Sequence, residues 1–157
     1  RMQPKSMPEE LNRVLTDRIS TVLCCCSELG RKNLWAEGIA DGVHVTGDIM
    51  YDLFLRFEKR FTPAQTARSF GVEPGRFVVA TLHRDFNVDK PAPLAECLRG
   101  LAHLQEQSGL AVLFFAHPRT AKNIVRFGLE KVAANLRVSH SIGYPELMSL
   151  TCASAFV

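Results

Sequence analysis

The side chains best suited to chemistry stand immediately after apolar runs. Phe77-Val78-Val79-Ala80-Thr81-Leu82 gives way at once to His83-Arg84, and the run Leu110 to Phe115 is followed, after Ala116, by His117-Pro118-Arg119. A shorter run, Leu136-Arg137-Val138, leads into Ser139-His140. Continuous apolar runs rich in β-branched residues read as strands buried on both faces. If those strands are parallel, His83, His117 and His140 line one edge of the sheet, where ligands of open α/β sheets collect. Imidazole and guanidinium groups beside helix N-termini suit a phosphate or a diphosphate. The bland alternative is a solvated loop histidine. The repeated placement favours the functional reading for His83 and His117 over His140. Metal binding is the rival use of these rings, but there is no HExxH and no Cys/His cluster at ligand spacing. Neither a metal nor a cofactor is therefore expected. His44 in a short strand and His103 on a helix face read as structural.

Glu9 and Glu10 open the first helix, behind Ser6-Met7-Pro8, which has the form of a capping box. Carboxylates at that position steady the positive end of a helix. Aimed into a cleft, one of them could act as a general acid or base. Both readings stay open on these residues alone. Nucleophile motifs such as GxSxG are absent, as are GxGxxG and GxxxxGK[ST], so neither a dinucleotide fingerprint nor a P-loop is encoded.

The elements that must hold these groups alternate between strand and helix. Helical spacing carries Leu11, Val14, Leu15, Ile19 and Val22; a short strand is expected over Val22 to Cys26, and Ser27 to Gly38 encloses a second helix. A strand Val43 to Thr46, a helix through Ile49 to Phe57 and a short helix from Thr62-Pro63 to Gly71 precede the central strand. Beyond it come a loop over His83 to Asp89, a helix Pro91 to Gln107, the strand Leu110 to Phe115 and a helix through Ile124 and Phe127. The short strand Leu136 to Val138, a helix from Pro145 and a final strand over Ala153 to Val157 complete the series. Such alternation predicts an α/β fold with parallel sheets covered by helices on both faces.

Bulk composition narrows the partners. A net charge of +3 and 22% charged residues leave no broad electrostatic footprint for nucleic acid. No apolar run reaches the length of a membrane span and no signal-peptide pattern occurs, so no membrane partner is expected. Five cysteines, three of them consecutive at Cys24-Cys25-Cys26 and none in a CxxC pair, read as core thiols in a reducing cytoplasm. The chain opens on Arg1 and closes inside what reads as a strand, so it is expected to be a fragment.

Read together, these segments resemble the non-hydrolysing UDP-N-acetylglucosamine 2-epimerase family. The resemblance rests on Met7-Pro8-Glu9-Glu10-Leu11-Asn12-Arg13, on Asn33-Leu34 with Glu37-Gly38-Ile39, and on Val45-Thr46-Gly47-Asp48. It continues through Thr81-Leu82-His83-Arg84 with Asn87-Val88-Asp89, then Ala116-His117-Pro118-Arg119-Thr120, and Gly143-Tyr144-Pro145-Glu146-Leu147.

The resemblance implies a GT-B-like fold made of two Rossmann-like lobes with the nucleotide sugar between them. Residues 1–46 would be the C-terminal part of the first lobe, and residues 47–157 the first half of the second, nucleotide-binding lobe, with a hinge near Gly47. It implies interconversion of UDP-N-acetylglucosamine and UDP-N-acetylmannosamine by inversion at sugar carbon 2, through elimination of UDP and its re-addition. Glu9 then corresponds to a catalytic carboxylate steadied by Arg13. His83 corresponds to the histidine on the diphosphate, with Arg84, His117 and Arg119 as basic neighbours, and Ile142 and Leu147 fall at the uracil. Phe86 stands where the family often has Glu, and Leu147 where an aromatic is common. Two of the family's loops would fall before Arg1 and after Val157, so this chain is expected to be inactive alone. The implied setting is a cytoplasmic homodimer. A hydrolysing epimerase, or a non-catalytic nucleotide-sugar-binding relic, are the alternatives.

Overall fold

The computed structural model describes residues 8–140 and 142–157, so the expected cap at Ser6 lies outside the described residues. The chain divides into two compact units, the first running to Lys59 and the second starting at Arg60.

The first unit contains α1 (Pro8–Ile19), β1 (Leu23–Cys25), α2 (Glu28–Ala36), β2 (Val43–Val45) and α3 (Ile49–Phe57). Local chemistry sets the helix starts. Ser27 Oγ accepts from the Gly30 amide at 3.3 Å, and Asp48 Oδ1 accepts from the Met50 amide at 2.8 Å, each relieving an otherwise orphaned first-turn donor. β1 and β2 pair in parallel with Leu23 opposite Val43 and Cys25 opposite Val45. Leu23, Cys25 and Leu34 form the small core, with Ile39 and Val43 against it.

The period of two in β1 corrects the expectation of buried thiols. Cys25 points inward, while Cys24 and Cys26 are exposed, as is Cys152. Burial raises the Cys25 pKa, and the neighbouring Cys26 acts in the same direction, so this thiol stays protonated and inert.

One turn admits only glycine. Gly42 has φ +68°, and a Cβ there would collide with the Thr21 carbonyl oxygen just ahead of β1. Gly42→Ala is expected to destabilise the protein by at least about 1–3 kcal/mol. A thermal melt that does not move would contradict this.

The second unit contains α4 (Pro63–Ser69), β3 (Phe77–Leu82), α5 (Asp85–Val88), α6 (Pro91–Ser108), β4 (Ala111–Ala116), α7 (Pro118–Arg126), α8 (Glu130–Ala133), β5 (Arg137–His140) and α9 (Tyr144–Ala153). Its parallel sheet has the order β3-β4-β5, with Leu82, Ala116 and His140 level across it. Even-numbered residues Val78, Val112, Phe114 and Ala116 pack against Val88, Leu94, Leu98, Ile124 and Ala133. Odd-numbered Phe77, Val79, Leu113 and Phe115 pack against Ala67, Leu150 and Ala153. Helices on both faces are the reason these two strands are apolar at every position but Thr81, which is exposed near the end of β3.

Four expectations are corrected here. The segment after β3 is not all loop, because α5 forms one helical turn within it, and α8 is a further short helix. β5 runs over Arg137–His140 rather than Leu136 to Val138; Leu136 is buried just before it. The last segment forms no extended strand: Phe156 makes an isolated parallel bridge to Val78, on the flank of β3 away from β4.

Candidate functional site

Register brings two of the three histidines together. His83 and His117 each directly follow one of the paired residues Leu82 and Ala116, so their backbones start about one strand spacing apart, roughly 4.8 Å. His140 is paired with Ala116 and lies one residue behind them. His83 and His117 line a cavity of about 200 Å³ together with Thr81, Leu82, Phe115, Ile142 and Leu147. His140 is not among the lining residues, which agrees with the weaker reading of it from the sequence. Nor are the exposed His44 and His103.

The cavity is apolar on one side and basic on the other. Phe115, Ile142 and Leu147 belong to the core under α9, so their positions are fixed by packing. The volume falls below the roughly 300–1,000 Å³ of sites that enclose a whole drug-sized ligand. A cavity of that size has room for a ring-sized group.

His117 has a second task. As N-cap of α7, its Nδ1 accepts from the Arg119 amide at 3.3 Å. A neutral ring accepting at Nδ1 carries its proton on Nε2, leaving that nitrogen as a donor.

The two arginines are placed differently from the histidines. Arg84, the exposed N-cap residue of α5, and Arg119 do not line the cavity. Arg119 is ion-paired with Asp89, so its charge is already answered within the second unit. That partner, thirty residues away in the chain, left no signal in the sequence.

The first unit presents the carboxylates. Glu9 is exposed in the first turn of α1, whereas Glu10 is 3% exposed. Arg13 Nη1 lies 3.4 Å from Glu10 Oε2. The expectation that Arg13 steadies Glu9 is therefore corrected: its guanidinium serves Glu10, the buried member, for which an unanswered charge would be costly. Among the described residues no group of His, Cys, Asp and Glu is arranged to hold a metal, and no helix is long and apolar enough to cross a membrane.

Comparison with known proteins sets these features in context. The profile of the UDP-N-acetylglucosamine 2-epimerase family matches residues 1–157. The UDP-N-acetylglucosamine 2-epimerase of Methanocaldococcus jannaschii is 34% identical over 153 residues, covering 93% of this chain and 42% of that protein. The UDP-2,3-diacetamido-2,3-dideoxy-D-glucuronate 2-epimerase of Pseudomonas aeruginosa is 37% identical over 155 residues, covering 96% and 41%. The crystal structure of the Methanocaldococcus jannaschii UDP-GlcNAc 2-epimerase in complex with UDP-GlcNAc and UDP matches 98% of this chain and 44% of its own, with a TM-score of 0.85 and 33% identity. The α/β GT-B-like class expected from the sequence holds. The chain spans about two fifths of the length of the curated relatives it matches.

Proposed function

Because the chain belongs to the UDP-N-acetylglucosamine 2-epimerase family, we propose that it serves an enzyme interconverting UDP-N-acetylglucosamine and UDP-N-acetylmannosamine. The observation that carries this reading is the ring-sized apolar cavity between Phe115, Ile142 and Leu147, edged by His83 and His117 at the carboxyl ends of β3 and β4. Uracil occupies the apolar side and the diphosphate runs past the imidazoles.

The chemistry needs no redox partner. A base removes the proton from sugar carbon 2 while the bond from carbon 1 to the UDP oxygen breaks, giving a glycal and free UDP. UDP then adds back at carbon 1 and a proton returns to the opposite face of carbon 2. Glu9, exposed and not engaged by Arg13, is the carboxylate we assign to proton transfer. His83 donates to the leaving diphosphate, where negative charge grows. His117 supports it through Nε2, and Arg84 contributes longer-range positive charge, while Arg119, paired with Asp89, helps hold the basic segment in place. Keeping UDP bound beside the glycal favours re-addition over attack by water, which is what separates the non-hydrolysing reaction from the hydrolysing one.

On this reading residues 1–46 serve the first lobe and residues 47–157 the second, a boundary that lies ahead of the division into compact units after Lys59. Gly47, at φ +85° just after β2, supports a change of chain direction there. A cytoplasmic homodimer is the assembly we assign to the complete enzyme, and five unpaired cysteines fit a reducing compartment.

The 37% identity to the Pseudomonas protein favours one further reading, the same inversion on a UDP-linked diacetamido-glucuronate. Both substrates present the same uracil and diphosphate to the cavity, so assaying both sugars in a polypeptide of the relatives' full length separates them. The site itself is tested by titrating UDP calorimetrically into the protein. His83→Ala is expected to weaken binding roughly ten- to a hundredfold, the range for losing a hydrogen bond to a charged group. Unchanged affinity would remove His83 from the site.

A further inference from the structure

The segment that carries His83 and Arg84 is fastened at both ends by side chains of α7. At its start, the Thr120 hydroxyl donates to the Leu82 carbonyl at 2.6 Å, one residue before His83. At its end, Asn123 Nδ2 donates to the Val88 carbonyl at 2.9 Å. Arg119 adds the ion pair to Asp89. Thr120 is fully buried and Asn123 nearly so, and a spacing of three places both on one face of the helix. Neither side chain touches the cavity. Buried polar groups of this kind are as a rule hydrogen-bonded, and among the described residues these two side chains bond to the backbone on either side of the His83 segment.

We infer that Thr120 is a positioning residue for His83. Its hydroxyl fixes the Leu82 carbonyl, and through it the exit of the chain from β3, so that the imidazole of His83 is held against the one supplied by His117. Because His117 caps the same helix, α7 is the common base of both rings: one bonds to an amide of its first turn, and the chain leading to the other is tied to it one turn along. A hydroxyl at position 120 thus governs the spacing of two groups it does not meet. This rests on the reading of His83 as a ligand of the diphosphate.

The test is a double-variant cycle read by calorimetric titration of UDP into the intact protein. Thr120→Val keeps the shape and removes the donor, and is expected to weaken UDP binding about three- to tenfold. In a His83→Ala background the same change is expected to alter affinity by less than about twofold, because a residue acting through His83 has nothing left to act on. Thr120→Ser, which keeps the hydroxyl, is expected to bind as wild type. Thermal melts check each variant, and Thr120→Ala replaces the valine in the cycle if the valine fails to melt cooperatively. Wild-type affinity in Thr120→Val overturns the proposal, as does equal weakening in both backgrounds, or a serine variant as weak as the valine. If wild type does not bind UDP, or His83→Ala binds as well as wild type, the underlying ligand reading fails and this proposal fails with it.

Discussion

Glu9→Gln is expected to lower turnover roughly a hundred- to ten-thousandfold while UDP affinity and the melting transition stay where they are in wild type. The expectation comes from how the two adjacent carboxylates divide their work. Glu10 is buried and within reach of Arg13, so it belongs to the support of α1. Glu9 is exposed in the first turn of α1 and makes no ion pair among the described residues, so its carboxylate stands open to solvent. Glutamine keeps the size of the side chain and its ability to hydrogen-bond, and removes its charge and its ability to exchange a proton. The measurement is a coupled epimerisation assay in a polypeptide of the relatives' full length, with wild type and variant compared at saturating substrate. Normal turnover in the variant would return Glu9 to the role of a first-turn helix carboxylate. A loss of turnover accompanied by an equal loss of UDP affinity would contradict the division of labour with His83.

The second large effect is on stability. Phe114→Ala is expected to destabilise the protein by about 3–5 kcal/mol. Phe114 is fully buried on the central strand, level with Ala80 of β3 and Val138 of β5. Its ring belongs to the core with Val78, Val112, Leu94, Leu98 and Ile124, contributed by two strands and two helices that cannot all close on the space left behind. Urea titration of wild type and variant reads the difference. A loss below about 1 kcal/mol would mean that this face of the sheet is loosely packed and that Phe114 is not its centre.

Much of this was legible in the sequence, for a physical reason that also marks what was not. β3 and β4 are buried on both faces, so they appear as unbroken apolar runs, and their ends were readable to within a residue. β5 is mostly polar, Arg-Val-Ser-His, and is a strand because β4 offers it an edge; that information lies in β4. α5 and α8 are single turns, shorter than the span over which helical periodicity can register. Among the candidate site residues, His83 and His117 stood out because histidine follows two buried strands at the same place, a repetition that solvated loop residues do not require. Ile142 and Leu147 carried no signal of their own and came only through the family resemblance. Thr120 and Asn123 look like solvated positions of an ordinary helix, and only the fold reveals that both are buried against the segment they hold.

The bridge between Val78 and Phe156 bears on how the protein is made. β3 acquires β4 as a neighbour from the next strand to leave the ribosome, but among the described residues its other flank is met by the segment holding Phe156. Throughout that interval the backbone of Phe77, Val78 and Val79 offers an unpaired, apolar edge, the form of surface on which strands of other chains add. The outer strand β5 is polar and largely exposed, a poor template for such addition. The strand that leads into His83 is therefore the one a nascent chain most needs shielded, and partly synthesised chains are expected to associate through β3 until residue 156 has emerged.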